Sequence, residues 1–260
     1  MAERKRVTSR VTEGVAVVTL DRPEKRNSLD ASMIAGIAAA LDWAAGEVEA
    51  RVVLLRGAGP DFCAGADLSA LAAAAEKGDT LENLDDAMAL AELFSRMRHH
   101  PLPIVAAVHG HAFAGGAGLA LACDLVVCSE DASFAFPEVQ LGFVPATVMA
   151  LVQRAAGQKA AFALLATGDV IDAGNAARLG LVNHVYPASG FQEEAERFAH
   201  SLARRPRGTL RLIKRLFYGI ESTAFDDAVA RGAELNALAR STGEFRAGVD
   251  RFLNRRKRER

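Results

Sequence analysis

Residues 109–125, HGHAFAGGAGLALACDL, have the composition of an anion-binding turn. They follow an apolar run, Ile104–Val108, that predicts a strand, and they place Gly115, Gly116 and Gly118 within four positions ahead of an alanine-rich helical pattern. Glycines between a strand and a helix allow a close approach and leave backbone N–H groups free. The helix start adds a partial positive charge. The segment is therefore expected to bind an anion, or to stabilise one that forms during a reaction.

A second segment of this kind is AGADL, residues 64–68, which follows a predicted strand. Gly65 permits a tight turn, and the Asp67 carboxylate can cap the helix that follows. The N–H of Ala66 is then expected to point outward, where a ligand could accept its hydrogen bond. An ordinary strand-to-helix turn explains the same residues equally well, so this segment alone does not establish a site.

A carboxylate lies within an apolar run at residues 136–142, FPEVQLG. Burial raises the pKa of a carboxyl group towards neutrality, and Glu138 with such a pKa would suit a base that takes and returns a proton. The alternative is that Glu138 faces solvent in a loop after Pro137, which is the commoner situation for a single glutamate.

Strands alternate with helices over the first 190 residues, which predicts an α/β core with crossover connections. Glu13-Gly14 is typical of a hairpin turn, residues 78–84 are predicted to form a mobile loop, and beyond Ala146 the pattern is helical apart from one strand. The predicted strands are 7–12, 15–20, 51–56, 103–108, 124–129 and 181–185, and the predicted helices of the core are 31–45, 69–77 and 86–98.

The composition is that of a soluble globular protein. The chain has 260 residues, half of them apolar, and a formal net charge of −1, which gives no charge argument for a nucleic-acid or membrane partner. Its basic N-terminus lacks the apolar stretch of a signal peptide, and no apolar run is long enough to span a bilayer. Three cysteines in apolar or glycine-rich surroundings are predicted to be reduced thiols, which favours a cytoplasmic location.

Four motifs follow one another along the chain: AGADL, HGHAFAGGAG, PEVQLGFVP and IDAGNAARLGLVNHV. In this order and at these spacings they closely resemble the enoyl-CoA hydratase/isomerase family, also called the crotonase family. The resemblance extends from the N-terminal hairpin and RPEKRNSL to the basic tail. It implies a crotonase-like α/β spiral of ββα units over residues 1–190 that holds the active site, and a helical region over residues 191–260. The resemblance further implies that this helical region assembles the chain into a homotrimer, and that two trimers commonly pair into a hexamer.

The resemblance also implies the substrate and two catalytic groups. Substrates of the family are acyl-CoA thioesters, so coenzyme A enters as part of the substrate and no other cofactor is expected. Two peptide N–H groups bind the thioester oxygen in the family, and in this chain they correspond to Ala66 and Gly115. Such donors stabilise enolate-like charge, and the loss of one typically raises the barrier by about 3–4 kcal/mol.

One member of the hydratase glutamate pair is missing. Hydratases activate water with two glutamates, of which one matches Glu138 and the other would lie at Gly118. A single glutamate resembles the isomerase members, in which it carries a proton between the α and γ carbons, so isomerisation is favoured and hydration is the alternative. Asp67, His111 and Asp169 are the nearest candidates by sequence to replace the missing acid.

Basic residues on one rim are expected to meet the phosphates of CoA, and apolar residues its adenine and pantetheine. The family places a basic residue near the RPEKRNSL segment, and an aromatic and a basic residue in the tail that reach CoA, in some members from the neighbouring subunit. A solvated terminus explains the basic tail equally well. The residues expected to contact substrate or CoA are Lys25, Arg26, Ala64, Leu68, Gly116, Phe252 and Arg255.

Two other functions and a metal site are alternatives to the acyl-CoA enzyme. One branch of the family is associated with RNA, but basic residues outside the two termini are dispersed and balanced by acids. The second is a non-catalytic family member that keeps the fold and has lost the glutamate pair. Unchanged turnover of every enoyl-CoA by Glu138→Gln would contradict the mechanism with a single carboxylate. A metal held by His109 and His111 is not expected, because no HExxH-type motif supports it.

Overall fold

The computed structural model describes residues 5–258, without the side chains of Ala75 and residues 255–258. The main sheet has six strands in the order β1-β2-β3-β4-β6-β9, and a smaller sheet has the order β5-β7-β8. The strands are β1 Val7–Thr12, β2 Val15–Leu20, β3 Val52–Gly57, β4 Ile104–Val108, β5 His111–Phe113, β6 Leu125–Ser129, β7 Ser133–Ala135, β8 Ile171–Asp172 and β9 His184–Tyr186.

Helices cover both faces of the main sheet and form the whole C-terminal region after β9. Two 3-10 helices, Pro23–Lys25 and Pro137–Leu141, lie in the connections. The α-helices are α1 Ala31–Gly46, α2 Leu68–Lys77, α3 Thr80–His99, α4 Gly115–Leu121, α5 Ala146–Thr167, α6 Ala173–Arg178, α7 Phe191–Ala203, α8 Arg207–Gly219, α9 Phe225–Arg240 and α10 Gly243–Arg258. The predicted α/β class with a helical C-terminal region is confirmed.

The main sheet is parallel except for β1, which pairs with β2 in an antiparallel hairpin. Its central strands are buried on both faces: Val17 and Leu54 pack with α7 on one side, whereas Val18 and Leu55 pack with α1 on the other. Because parallel strands end at the same edge, the segments that follow β3 and β4 start side by side. This edge carries the candidate site.

The hairpin predicted at Glu13-Gly14 is confirmed, and both residues have positive φ, 47° and 83°. This backbone matches the twist of two adjacent antiparallel strands. The prediction of free cysteines is also confirmed, since Cys63, Cys123 and Cys128 are buried and unpaired. No helix among residues 5–258 is long and apolar enough to cross a membrane.

The mobile loop predicted at residues 78–84 is wrong. Gly78, with φ 64°, ends α2, and the side chain of Asp79 accepts hydrogen bonds from the N–H groups of Leu81 and Glu82 at the start of α3. The polar residues that suggested a loop are therefore a helix cap and the exposed first turns of a 20-residue helix. A capping aspartate and a loop aspartate look alike in sequence.

The strand expected at 181–185 lies at His184–Tyr186.

The small sheet was not predicted. The strands of this sheet, β5, β7 and β8, contain only three, three and two residues, too few to show a two-residue alternation. They pair through residues that are distant in sequence, such as Phe113 with Ala135. Long-range pairing of this kind leaves no local signal.

Candidate active site

The first half of the site is the turn after β3, where Gly65 and Ala66 lie beside Leu29. The N–H of Leu29 donates to the Gly65 oxygen at 2.7 Å, and the N–H of Asp67 donates to the Leu29 oxygen at 2.9 Å. Because backbone N–H groups alternate in direction along such a segment, the N–H of Ala66 points away from Leu29. Within residues 5–258 it has no acceptor. Gly65, with φ 92°, makes this turn possible.

The second half of the site is the start of α4, which follows β5. Gly115 is the first residue of the helix, so its N–H has no partner within the helix, and none is found elsewhere in the described chain. The residue before it, Ala114, has φ 49° and ψ −123°, a conformation that a side chain disfavours. A hydrogen bond from its N–H to the Ala135 oxygen at 2.8 Å holds this turn in place.

The two halves are joined by backbone contacts. The N–H of Cys63 donates to the His111 oxygen at 3.0 Å, and the N–H of Phe113 donates to the Cys63 oxygen at 3.1 Å. A Cβ added to Gly65 would lie 3.5 Å from the Gly115 nitrogen. One added to Gly116 would lie only 2.2 Å from the Cys63 oxygen, which explains the glycine there. The free N–H groups of Ala66 and Gly115 therefore belong to neighbouring turns, as two donors to one carbonyl oxygen must.

Glu138 lies in the 3-10 helix that follows β7, three residues after Ala135. The predicted burial is confirmed: the residue is 8% exposed, and its Oε2 atom is buried without a hydrogen-bond partner in the described chain. Desolvation raises the pKa of Glu138 above its ordinary value, and a hydrogen bond from its own backbone N–H offsets part of this rise. A buried carboxylate oxygen without a hydrogen-bond partner is suited to exchange a proton with a bound molecule.

Apolar side chains occupy the space beside Gly118, where the second acid of a hydratase is expected. A Cβ added to Gly118 would lie 2.4 Å from Val148 Cγ1 and 3.0 Å from Phe94 Cζ. Val148 is on α5 and Phe94 is on α3, and both are buried. The site thus has an apolar wall, formed by Val148 and Phe94, in place of a second carboxylate.

Two of the three residues considered as replacements for that acid are engaged elsewhere, and the third is exposed. Asp67 caps α2 through the Ser69 N–H, and His111 Nδ1 lies 2.5 Å from Asp61 Oδ1. Asp169 is exposed to solvent after the end of α5. The nearest atoms to the missing side chain come from the apolar wall and from none of these residues.

The histidines considered for a metal site do not form one. His109 Nε2 lies 2.9 Å from the Gly59 oxygen, while His111 pairs with Asp61. Across the described ranges of the chain, no group of three or more His, Cys, Asp or Glu side chains is placed to hold a metal ion.

An arginine that the sequence prediction missed links the Ala66 turn to the rest of the fold. Arg22 Nη1 lies 3.0 Å from Asp30 Oδ2 and 3.1 Å from Asp67 Oδ2. Burial alone would raise the pKa of Asp67, but hydrogen bonds from Ser69 and the charge of Lys25 lower it below its ordinary value. Arg22 therefore holds an ionised Asp67 directly after the Ala66 amide. The sequence signal that could have identified Arg22 was its place in RPEKRNSL, the segment expected to contact CoA.

Four of the residues expected to contact CoA lie together next to this turn. The N–H of Ala64 donates to the Arg26 oxygen at 3.0 Å, Lys25 and Arg26 are exposed, and Leu68 is 63% exposed at the start of α2. We call Lys25, Arg26, Ala64 and Leu68 the basic rim. Gly116 is instead buried against Cys63, with no side chain to offer a ligand.

The two tail residues expected to contact CoA lie on α10. Phe252 is 59% exposed, and Arg255 belongs to the part of α10 whose side chains lie outside the described residues. The neighbouring Arg251 shares a cavity with Arg51, which precedes β3, whereas Ala66 follows the opposite end of β3. The structure of one chain thus does not bring this part of α10 to the basic rim.

Comparison with known proteins relates this geometry to one family. The sequence pattern described as Enoyl-CoA hydratase/isomerase matches residues 10–259. A Thermus thermophilus protein named as an enoyl-CoA hydratase is 43% identical over 93% of this chain and 95% of its own length. The 1,2-epoxyphenylacetyl-CoA isomerase of Escherichia coli is 31% identical over 96% of each protein. The crystal structure of an enoyl-CoA hydratase from Mycobacterium smegmatis superposes with a TM-score of 0.91 at 31% identity, covering 96% of each chain.

Proposed function

Because the chain belongs to the enoyl-CoA hydratase/isomerase family, we propose that it isomerises the double bond of an enoyl-CoA, with Glu138 as its only acid–base group. Membership of the family makes it an acyl-CoA enzyme, and the identity of its reaction depends on the residues around the thioester. One combination of features carries the proposal. Glu138 Oε2 is buried without a hydrogen-bond partner, and the apolar wall lies at Gly118 where a hydratase has its second acid.

The proposed reaction begins at the thioester oxygen. The N–H groups of Ala66 and Gly115 donate to this oxygen and stabilise the negative charge that develops on it. With that charge stabilised, Glu138 removes a proton from the α carbon of a 3-enoyl-CoA, and the electrons of the C–H bond enter a dienolate. The carboxylic acid formed on Glu138 then returns the proton to the γ carbon, which gives the 2-enoyl-CoA and regenerates the carboxylate.

The apolar wall is the reason to favour isomerisation over hydration. A hydratase must hold a water molecule against the β carbon and remove its proton, which the family achieves with two carboxylates. Here Val148 and Phe94 offer no hydrogen bond to such a water. A single buried carboxylate needs no water to carry a proton from one carbon to another. The geometry therefore supports proton transfer within the substrate.

The direct test is to identify products from trans-3-enoyl-CoA and trans-2-enoyl-CoA of several chain lengths. We expect conversion of the 3-enoyl into the 2-enoyl compound, and no incorporation of oxygen from labelled water. Glu138→Gln should lower turnover about 10²- to 10⁴-fold. Glu92→Gln, which changes an exposed glutamate on α3, is the matched control and should leave turnover unchanged.

Hydration is the second candidate, favoured by the name of the 43% identical relative. Formation of a 3-hydroxyacyl-CoA at a rate comparable with isomerisation would overturn the proposed reaction and assign hydration to a site with one glutamate. If Glu138→Gln turns over an enoyl-CoA as fast as the unchanged chain, the acid–base role of Glu138 is wrong. A non-catalytic function gains support only if neither protein turns over any enoyl-CoA.

The same family membership supports a homotrimer, or a hexamer of two trimers, assembled through α8, α9 and α10. No residue of α9 is buried within one chain, and Phe217 and Phe225 are 68% and 80% exposed. Large apolar side chains in such numbers on adjacent helices are typical of a subunit interface. In such an assembly, Phe252 and Arg255 of α10 would reach the basic rim of a neighbouring copy, which agrees with their distance from the rim of their own chain.

A further inference from the structure

A cavity lined by arginines lies at the end of the main sheet opposite the candidate active site. Its volume is about 500 Å³, and its charged lining residues are Arg51, Arg204, Arg207, Arg251 and Glu244. Arg51 immediately precedes β3, whereas the turn that carries Ala66 follows the other end of that strand. Because a six-residue strand spans about 20 Å, this arginine cavity is separate from the basic rim of the same chain.

The one carboxylate of the cavity is committed to a helix start. Glu244 of α10 accepts hydrogen bonds from the N–H groups of Gly208 and Thr209, both at 2.9 Å, and from the Thr209 hydroxyl at 3.1 Å. Burial alone would raise the pKa of Glu244, but these hydrogen bonds and the charge of Arg51 lower it, so the group is ionised. Glu244 thereby caps α8 and ties α10 to it.

Three guanidinium groups of the cavity contact backbone oxygens. Arg207 Nη1 lies 2.9 Å from the Val48 oxygen, and Arg251 Nε lies 3.2 Å from the Ala247 oxygen. Arg51 Nη1 makes a long contact of 3.5 Å with the Ala203 oxygen. Among the residues that the structure describes, none of these arginines, nor Arg204, has a carboxylate oxygen within 4.0 Å. Arginines elsewhere, such as Arg22 and Arg56, do form ion pairs.

Four positive charges around one small cavity, against one negative charge that already caps a helix, repel one another. A multivalent anion bound among them would remove this repulsion. Guanidinium groups present planar pairs of N–H donors that match phosphate oxygens, and they give up water more readily than ammonium groups. No aromatic ring lines the cavity to stack on a nucleobase. The features present therefore select for phosphate groups.

We propose that the arginine cavity is a binding site for a small molecule that carries a diphosphate group, recognised through its phosphate oxygens by Arg51, Arg204, Arg207 and Arg251. Its volume accommodates a diphosphate and the first part of the attached group. The cavity lies away from Glu138 of the same chain, and its test uses no acyl-CoA, so the two proposals stand or fall separately.

Calorimetric titration of the full chain with inorganic pyrophosphate at low ionic strength tests this proposal. We expect saturable binding, and at least a tenfold loss of affinity, about what one charged hydrogen bond contributes, in Arg204→Gln and in Arg251→Gln. Inorganic phosphate should bind more weakly, because it spans fewer arginines. Arg240→Gln, an exposed arginine of α9 outside the cavity, is the control and should bind as the unchanged chain does, whereas Arg26→Gln reports separately on pyrophosphate bound at the basic rim.

Each other outcome overturns the proposal. Absence of saturable binding at millimolar pyrophosphate would show that the cavity holds no such anion. An equal loss of affinity in Arg240→Gln would show that binding depends only on the overall charge of the protein. A loss of affinity confined to Arg26→Gln would place the pyrophosphate on the basic rim. A change in the number of chains per assembly in Arg204→Gln and Arg251→Gln, with pyrophosphate binding intact, would show that these arginines contact another copy of the chain. Unaltered thermal unfolding of the variants verifies that they fold.

Discussion

Glu138 links turnover and stability to pH in opposite directions. Burial raises its pKa above the ordinary value of 4.5. As a base it must be ionised, so we expect the turnover of 3-enoyl-CoA to rise with pH through this raised pKa and then to level off. Stability behaves in the reverse way: the contribution of Glu138 is fully present below pH 4.5 and is lost as pH rises through the pKa of the folded state.

Glu138→Gln should therefore produce a less active and more stable protein. Near pH 7 the substitution removes a desolvated charge, and we expect the free energy of unfolding to rise by about 1–2 kcal/mol. Below about pH 4 both side chains are neutral, and the gain should vanish. Urea unfolding at fixed protein concentration, repeated across this pH range, measures the difference. A gain that is the same at every pH would contradict the ionised, buried state of Glu138.

Gly118 shows why the missing acid cannot simply be restored. The first side-chain atom of any replacement would lie 2.4 Å from Val148, so Gly118→Ala should lower the free energy of unfolding by about 1–3 kcal/mol. Gly118→Glu should likewise destabilise, and should not hydrate a 2-enoyl-CoA. Gly46→Ala, where a Cβ meets open space at the end of α1, is the matched control and should stay within about 0.5 kcal/mol. Equal stability of the two alanine variants would mean that the apolar wall is not tightly packed.

At the scale of elements, Arg22 connects the start of α1 with the start of α2. Its guanidinium joins Asp30 and Asp67, the capping residues of these two helices. Arg22→Gln should cost about 1–3 kcal/mol of stability, because Asp67 loses its ion-pair partner and Asp30 keeps only Arg6. Since Asp67 follows Ala66, kcat should also fall, with partial rescue by Arg22→Lys. Arg10→Gln breaks an exposed ion pair with Glu196 and should have little effect on unfolding.

Lys214 plays a corresponding role between the C-terminal helices and the core. From α8 its Nζ donates to the Met97 oxygen at 2.9 Å, the Leu102 oxygen at 3.2 Å and Asp124 Oδ2 at 2.7 Å. Lys214→Met should destabilise by about 3–5 kcal/mol, because it leaves the charge of Asp124 unpaired. Thermal unfolding measures this. Lys159→Met, at an exposed position of α5, should unfold as the unchanged chain does.

Elements with a strong local pattern were predictable from the sequence, and those built by distant contacts were not. Val52–Leu55 and Ile104–Val108 are continuous apolar runs, and each predicts a buried strand. The segments that hold Ala66, Gly115 and Glu138 could be selected because glycine turns and a carboxylate in an apolar run are local signals. The choice of Ala66 and Gly115 as the two donors came from the family resemblance. The apolar wall was missed because Val148 and Phe94 meet Gly118 from two other helices. The sequence of a helix does not show which distant residue a given valine side chain contacts.

At the scale of the whole molecule, the exposed apolar surface of the C-terminal helices predicts self-association. Light scattering should give the mass of three chains or a multiple of three. Phe225→Glu places a charge where the side chain is 80% exposed in one chain, and should shift the mass towards that of a single chain if α9 lies in the interface. Leu81→Glu, at a 72% exposed position on α3, is the control. A single-chain mass for the unchanged protein would contradict the trimer.

The two halves of the site are joined through backbone atoms, and this has a consequence for genetics. The groups that face the thioester oxygen in our proposal are peptide N–H groups, which every residue except proline possesses. An alanine scan would pass over Ala66 entirely, and would register Gly115 only through its packing. Random mutagenesis would therefore report the side chains that shape the pocket and miss the donors themselves. Replacing the peptide link at Ala66 by an ester, which deletes the N–H and leaves every side chain unchanged, would expose their contribution.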